Sequence, residues 1–245
     1  MPDDIPDAYG HLMYDAYTGK NTTEVVERDD GYIDYAGGGK DYLRKFDEWP
    51  EIQREAMKFA RGRVLDIGCG AGRHSLYLQE RGFEVYGIDS SASVISVCRK
   101  RGLKNAHHMP FNRLSREFGL FDTILMLGNN LGLLENCERA KTHLKRLHRI
   151  TTKRGRIIGE SRDPYQTDIP EHLEYHEFNR SRGRMPGQLR IRIRYKKYKT
   201  PWFNYLLMSK EELEDILKNT GWAVNEYIDG KDGMYIAIID KEESD

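Results

Sequence analysis

The chain has 245 residues, a formal net charge of zero at pH 7, 38% hydrophobic and 32% charged residues, which suits one sizeable soluble domain with additions and argues against a protein built to coat nucleic acid. No apolar run approaches the roughly 18 to 20 residues of a membrane-spanning helix, and the start, MPDDIPDAYG, has no apolar core of a secretory leader. Three scattered cysteines, Cys69, Cys98 and Cys137, fit neither a disulfide framework nor a zinc site, so the expectation is a cytoplasmic protein with no metal and no membrane partner.

Residues 1–60 precede the first strand pattern and read as partly helical, with six tyrosines between Tyr9 and Tyr42 and a flexible GGGK at 37–40. From 61 to 245 short apolar strands alternate with amphipathic helices. Strands are expected over Arg63 to Ile67, Phe83 to Ile88, Lys104 to His108, 121–127 (FDTILML) and 154–160 (RGRIIGE). Helices are expected over Gly72 to Glu80, Ser90 to Arg101 and Asn136 to Arg149. SKEELEDILKNTGW carries a capping box, Ser209 with Glu212, and Gly221 at the helix stop. WAVNEYI and MYIAIID, split by DGKDG, read as a closing hairpin. Alternation with short connections argues for a parallel doubly wound sheet, and the hairpin makes its last strand antiparallel.

Residues 161–208 interrupt this rhythm as an insert. Within it QLRIRIRYKKY alternates as a half-buried antiparallel strand does, with Leu189, Ile191, Ile193 and Tyr195 inward and Arg190, Arg192, Arg194 and Lys196 outward. Pro186-Gly187 is expected to turn a hairpin there. Charge is uneven: residues 180–199 hold nine Lys or Arg and no acid, whereas residues 1–61 hold fourteen acids against eight bases.

The chemistry is concentrated in VLDIGCGAGRHS, 64–75. The lysine and Ser/Thr of a P-loop are missing, because Arg73 and His74 follow the glycines. A dinucleotide fingerprint, GxGxxG, is a poor match, since the third glycine comes one residue early. A ligand without phosphate remains, its carboxylate placed at the helix N-terminus.

VLDIGCGAG resembles the first motif of class I S-adenosylmethionine-dependent methyltransferases, in particular the small-molecule type 11/25 branch. VYGIDSS, 85–91, is similar to the second motif, and FDTILMLGNN, RGRIIGE and the closing helix and hairpin resemble the elements that follow. The resemblance implies a Rossmann-like, mostly parallel seven-stranded sheet with an antiparallel last strand, plus an N-terminal helical lid and an antiparallel β insert. It implies S-adenosylmethionine as cofactor and S-adenosylhomocysteine as product. Cofactor contacts are then expected at Asp66, Gly68, Cys69, Gly70, His74, Asp89, Ser90, Met109, Pro110, Phe111, Leu127 and Asn129. Asp89 takes the ribose hydroxyls and Cys69 is a small filler. His74 either meets the carboxylate end or packs. The stretch AHHMPFNRL departs from the family by lacking an acid or amide after the third strand, so adenine falls to the backbone and side chains of Met109 to Phe111.

Methyl transfer asks little of side chains, because in-line positioning supplies much of the acceleration. A base is needed only where the acceptor must lose a proton. Glu160 and Asn129 are the candidates for the catalytic rim; Asn129 and its neighbour Asn130 read equally as turn residues, and Glu160, Asp163, Tyr165 and His176, as general bases, read more readily as solvated or hydrogen-bonded loop residues. The acceptor is expected to be a small molecule. The alternatives are RNA gripped by the basic strand 189–199, or a cofactor-binding protein that does not transfer. A monomer or homodimer is expected.

Overall fold

The computed structural model describes residues 7–242; the first six, part of the acidic start read against a leader, lie outside that range. The elements in chain order are α1 (Ala8–Tyr17), β1 (Val25–Arg28), β2 (Ile33–Tyr35), α2 (Glu51–Ala56), β3 (Val64–Ile67), α3 (Arg73–Glu80), β4 (Val85–Asp89), α4 (Ala92–Lys100), β5 (Asn105–His108) and β6 (Phe121–Met126). They continue as α5 (Cys137–Arg149), β7 (Thr151–Arg162), α6 (Pro170–Arg180), β8 (Gln188–Tyr195), β9 (Tyr198–Lys199), β10 (Phe203–Leu206), α7 (Lys210–Leu217), β11 (Trp222–Asp229) and β12 (Met234–Lys241). Short 3-10 turns connect several of them. Among the described residues no helix is long and apolar enough to cross a membrane.

Seven strands form one sheet in the order β11-β12-β7-β6-β3-β4-β5. The pairs β4–β5 and β6–β7 are parallel, and β12 runs antiparallel to both β7 and β11. This is the doubly wound, mostly parallel Rossmann-like sheet with an antiparallel last strand. A second sheet follows the order β10-β8-β1-β2, with β9 on β8. The N-terminal segment therefore carries two strands besides its helices α1 and α2. It supplies β1, which pairs with β8 antiparallel, Val26 opposite Ile193 and Glu27 opposite Arg192.

The hairpin in the insert is not where Pro186-Gly187 suggested. The chain turns at Lys196 and Lys197, because Tyr195 pairs with Tyr198 and Arg194 with Lys199. Lys196 takes the positive φ of that turn, 52°. Pro186 and Gly187 lie ahead of β8, where Leu207 donates its N–H to Gly187 O at 2.8 Å. The alternation itself stands: Ile191, Ile193 and Tyr195 are buried, while Arg190, Arg194 and Lys196 are exposed.

Contacts divide the chain into two compact units. The first holds the chain up to Trp49, Leu65–Arg113 and Arg190–Phe203. In it α1 lays Met13 against Ala71, Val94 and Val97, with Tyr9, Tyr14 and Tyr42 packed on that cluster. The second holds Pro50–Val64, Leu114–Leu189 and Asn204–Asp245. Its strands β6 and β12 bury Ile124, Leu125, Met126, Ile236, Ile238 and Ile239 completely or nearly so, each such side chain contributing roughly 1.5–3 kcal/mol relative to exposure. Helix α5 starts at Asn136, whose side chain accepts the N–H of Arg139, and turns Ala140, Leu144 and Leu147 inward. Helix α7 has the anticipated box, Ser209 Oγ accepting from Glu212 N and Glu212 Oε2 from Ser209 N, which ties up two N–H groups that a helix start leaves unpaired.

Candidate functional site

In the first unit, β3 is buried along its length and ends on Asp66 and Ile67. The next five residues reach α3 through three left-handed turns, at Gly68 (φ 68°), Gly70 (φ 54°) and Gly72 (φ 79°). Side chains with a Cβ pay a steric penalty in that region, so the spacing of the glycines follows from the path. Gly68 and Cys69 both donate their N–H to Ile88 O, at 2.9 and 3.0 Å, which pins the loop to the end of β4.

Asp89 stands at that end. Its Oδ1 accepts from Ser91 N at 2.9 Å and its Oδ2 from Gly70 N at 3.3 Å. Each carboxylate oxygen thus holds one N–H and keeps capacity for a further donor, which fits the two hydroxyls of a ribose. Burial pushes the Asp89 carboxyl up to about 6, against the pull of the Ser91 and Gly70 N–H groups. Asp89 O also accepts from Met109 N at 2.8 Å, so Met109, Pro110 and Phe111 leave β5 directly beside the acid, all three half-buried. Ser90 O meets His108 Nε2 at 2.9 Å.

Asp66 is 2% exposed and accepts from Ser75 Oγ at 2.6 Å. Burial raises its carboxyl to about 6, with the Ser75 hydroxyl and the Arg73 charge opposing. His74 packs edge-on against Trp49, ring centroids 4.7 Å apart. Burial, then Arg73, holds its pKa well below the usual range, so it is neutral. Cys69 fills space with Ile95, Cys98, Leu103 and Ala106. Its thiol is raised by the neighbouring Cys98 and by burial, which leaves it protonated and inert.

One group of residues in this unit went unread in the sequence. A Cβ placed on Gly70 would lie 3.5 Å from Tyr42 Cδ1 and 3.7 Å from Met13 Cε, so α1 and the 39–43 turn lie against the glycine loop. Tyr42 donates to Glu24 Oε2 at 2.6 Å, and Tyr9 donates to Tyr42 at 2.5 Å. Glu24 is 4% exposed. The available signal was the density of tyrosines in this segment, and it names no partners.

In the second unit, Gly128 follows β6 and donates its N–H to Glu160 Oε2 at 2.6 Å; Gln53 Nε2 donates to the same oxygen at 2.7 Å. Leu127 is buried, Glu160 is 3% exposed, and Asn129 turns left-handed at φ 63°. Asn129 O accepts from the Tyr205 hydroxyl at 2.5 Å, and its Oδ1 is buried with no partner among the described residues. Asp163 accepts from Tyr165 N, and the Tyr165 hydroxyl donates to Glu212 Oε1 at 2.7 Å. His176 is buried with its ring 6.2 Å from that of Tyr165. The structure thus brings Asp66, Gly68, Cys69, Gly70, His74, Asp89, Ser90 and Met109 to Phe111 together in one unit, and Leu127, Asn129 and Glu160 together in the other.

Residues 64–155 match the model of a family described as "Methyltransferase domain". The chain is 28% identical over 155 residues to a glycine/sarcosine N-methyltransferase of Halorhodospira halochloris, covering 61% of this chain and 56% of that protein. A glycine/sarcosine/dimethylglycine N-methyltransferase of Actinopolyspora halophila is 31% identical over 140 residues, 51% of this chain and 25% of that protein. The chain spans about half the length of the curated relatives it matches. Among solved structures, a methyltransferase from Bacteroides fragilis in complex with S-adenosyl-L-homocysteine superposes with a TM-score of 0.82 at 27% identity, over 97% of this chain and 95% of that one.

Proposed function

As the chain belongs to the class I S-adenosylmethionine-dependent methyltransferases, we propose that it transfers a methyl group to a small-molecule acceptor. When bound, the cofactor supplies an activated methyl group on a good leaving group. What remains for the protein is positioning. Asp89 accepts the ribose hydroxyls, and the N–H groups where the glycine loop enters α3 take the carboxylate. Met109 to Phe111 hold the adenine. The family resemblance assigns Leu127 and Asn129 to the methyl end, and within the second unit Glu160, bonded to Gly128 and Gln53, fixes the backbone after β6. The observation that carries this reading is the glycine loop: three left-handed glycines, the first of them tied with Cys69 to Ile88 O and the second to the Asp89 carboxylate.

The acceptor class follows from two considerations. Two of the three arginines of β8, Arg192 and Arg194, pair with Glu27 within the fold, which weakens the case for a phosphate grip. The named relatives act on glycine and sarcosine, so small amines head the acceptors to test.

Calorimetry with S-adenosylhomocysteine, then turnover of S-adenosylmethionine against glycine, sarcosine, other small amines, phenols and mixed RNA, tests the proposal. Binding with turnover on a small molecule supports it. Turnover on RNA alone, or binding with no turnover at all, overturns it.

A further inference from the structure

The geometry points to a proton relay, Tyr9 to Tyr42 to Glu24, that takes the proton released by the acceptor. It rests on the methyltransferase reading above and names residues which that reading does not use.

The hydrogen bonds run one way. Tyr42 has a single hydroxyl hydrogen, and it goes to Glu24 Oε2 at 2.6 Å. Tyr42 Oη must therefore accept, and Tyr9 supplies the donor at 2.5 Å. Among the described residues nothing donates to Tyr9 Oη, so its lone pairs keep capacity for one more donor. The chain thus runs from a hydroxyl that can still accept, Tyr9, to a buried carboxylate, Glu24.

Its place also suits proton removal. Tyr9 and Tyr42 meet edge to face at 5.5 Å and pack on the cluster that contains Ala71 of the glycine loop. Tyr42 lies against Gly70. The start of α1 abuts the segment after Asp89: Ser91 Oγ donates to Asp7 Oδ2 at 2.6 Å, and Gly10 sits on Ser93 with no room for a Cβ. Among the described residues no cation neutralises Glu24. The charges that bear on it are Asp41 and Asp34, both acids, and burial with those acids raises it to about 7 while the Tyr42 hydroxyl opposes. A buried, uncompensated carboxylate is an expensive feature for a fold to keep. It is also a proton acceptor suited to neutral pH. Burial, Glu24 and Tyr42, with a contribution from Asp89, push the Tyr9 hydroxyl well above its usual range, so Tyr9 passes a hydrogen on without resting as a phenolate.

The step is a proton transfer with no redox change. The X–H bond of an amine or hydroxyl acceptor breaks and its electron pair stays on X. The hydrogen bonds to Tyr9 Oη, Tyr9 passes its own hydrogen to Tyr42, and Tyr42 passes its hydrogen to Glu24, which becomes the neutral acid. With Glu24 protonated the chain can run in reverse and return the proton to solvent.

The test combines a titration with turnover. The full chain, with carboxyl-labelled glutamate and saturated with S-adenosylhomocysteine, is titrated from pH 5 to 9 by carbon NMR. One glutamate signal is expected to titrate near neutrality, to vanish in Glu24→Gln, and to shift its midpoint upward in Tyr42→Phe. Turnover on the best acceptor of the panel above is expected to fall tenfold or more in Glu24→Gln, Tyr42→Phe and Tyr9→Phe. The acid limb of the wild-type profile should be lost in Glu24→Gln, and S-adenosylhomocysteine affinity should be unchanged. Glu24→Gln keeping the wild-type rate and acid limb overturns the relay alone, as does the absence of a glutamate titrating near neutrality. Loss of rate accompanied by equal loss of cofactor affinity overturns it in favour of a structural role. Absence of turnover in every form, wild type included, overturns the underlying reading as well.

Discussion

Arg192 closes its guanidinium on Glu27 from both sides, Nε to Oε2 at 2.8 Å and Nη2 to Oε1 at 2.7 Å. Arg194 reaches the same carboxylate at 3.3 Å. Glu27 and Arg192 are directly opposite across the antiparallel β1–β8 pair, and Arg194 reaches in diagonally from opposite Val25, so the acidic N-terminal segment and the basic stripe balance each other within one sheet. The Glu27 carboxyl is accordingly held below its usual range by Arg192 first. Opposite charges directly across a strand pair reinforce its register.

The stripe is therefore expected not to grip nucleic acid. Mixed RNA should bind weakly, with a log–log salt slope much shallower than the roughly −0.7 per phosphate contact of single strands. Replacing Arg190, Arg192 and Arg194 by alanine should leave that slope unchanged while lowering the melting temperature at low salt. Submicromolar RNA binding near physiological salt, abolished in the triple variant, would reverse the assignment.

Asp89 should govern cofactor affinity and its pH dependence. It must be ionised to accept two hydroxyls, and its carboxyl is raised to about 6, so S-adenosylhomocysteine affinity is expected to fall as pH drops through 6 and to level off above 7. Asp89→Ala should weaken binding about tenfold or more, since a hydrogen bond to a charged group contributes roughly 1.5–3 kcal/mol. Asp89→Asn should bind weakly with no such pH step. Calorimetry at pH 5, 6 and 8 reads both effects.

Gly70→Val tests the loop. At φ 54° a residue with a Cβ is strained by roughly 1–2 kcal/mol, and β-branching adds to this. The space on the Tyr42 side admits a Cβ at ordinary contact distance, so the chain should still fold, with a lowered melting temperature. Cofactor binding should be lost. Normal binding in a folded Gly70→Val protein would place the ligand elsewhere.

Glu24 carries a stability signature that is independent of turnover. Its pKa is raised on folding from 4.5 to about 7, so the folded state binds the extra proton between those values and stability falls as pH rises through that window. Glu24→Gln removes the buried charge and keeps an acceptor for Tyr42. It should be neutral near pH 4 and stabilising at pH 8, by at most roughly 3 kcal/mol, each tenfold change in proton affinity being equivalent to about 1.4 kcal/mol. Urea midpoints at the two pH values decide it.

Glu160 is expected to be more sensitive to deletion than to neutralisation. Glu160→Ala strands both Gly128 N–H and the Gln53 amide, an unpaired buried donor costing about 1–3 kcal/mol. Glu160→Gln keeps one acceptor and should retain most of the stability. If Glu160→Gln nevertheless abolishes turnover at full cofactor affinity, the carboxylate acts on the acceptor directly.

What could be read along the chain is what neighbours along the chain determine. The glycines at 68, 70 and 72 announce left-handed turns that few other residues accept. Ser209 and Glu212 cap a helix within three residues. DGKDG turns a hairpin whose strands flank it, Asp66 lies next to the end of its strand, and Asp89 ends the strand that carries it. The sites decided by tertiary structure join residues that no local pattern relates. Tyr9 and Tyr42 are 33 residues apart, Gln53 and Glu160 are 107, and Glu27 and Arg192 are 165. Pro186-Gly187 read as a turn and Lys196-Lys197 did not, because strand pairing with β1 and β9 outweighed local turn preference. Glu24, in an acidic stretch, reads as one more solvated carboxylate; only folding, by excluding water and placing Tyr42 on it with Tyr9 behind, converts it into a buried proton acceptor.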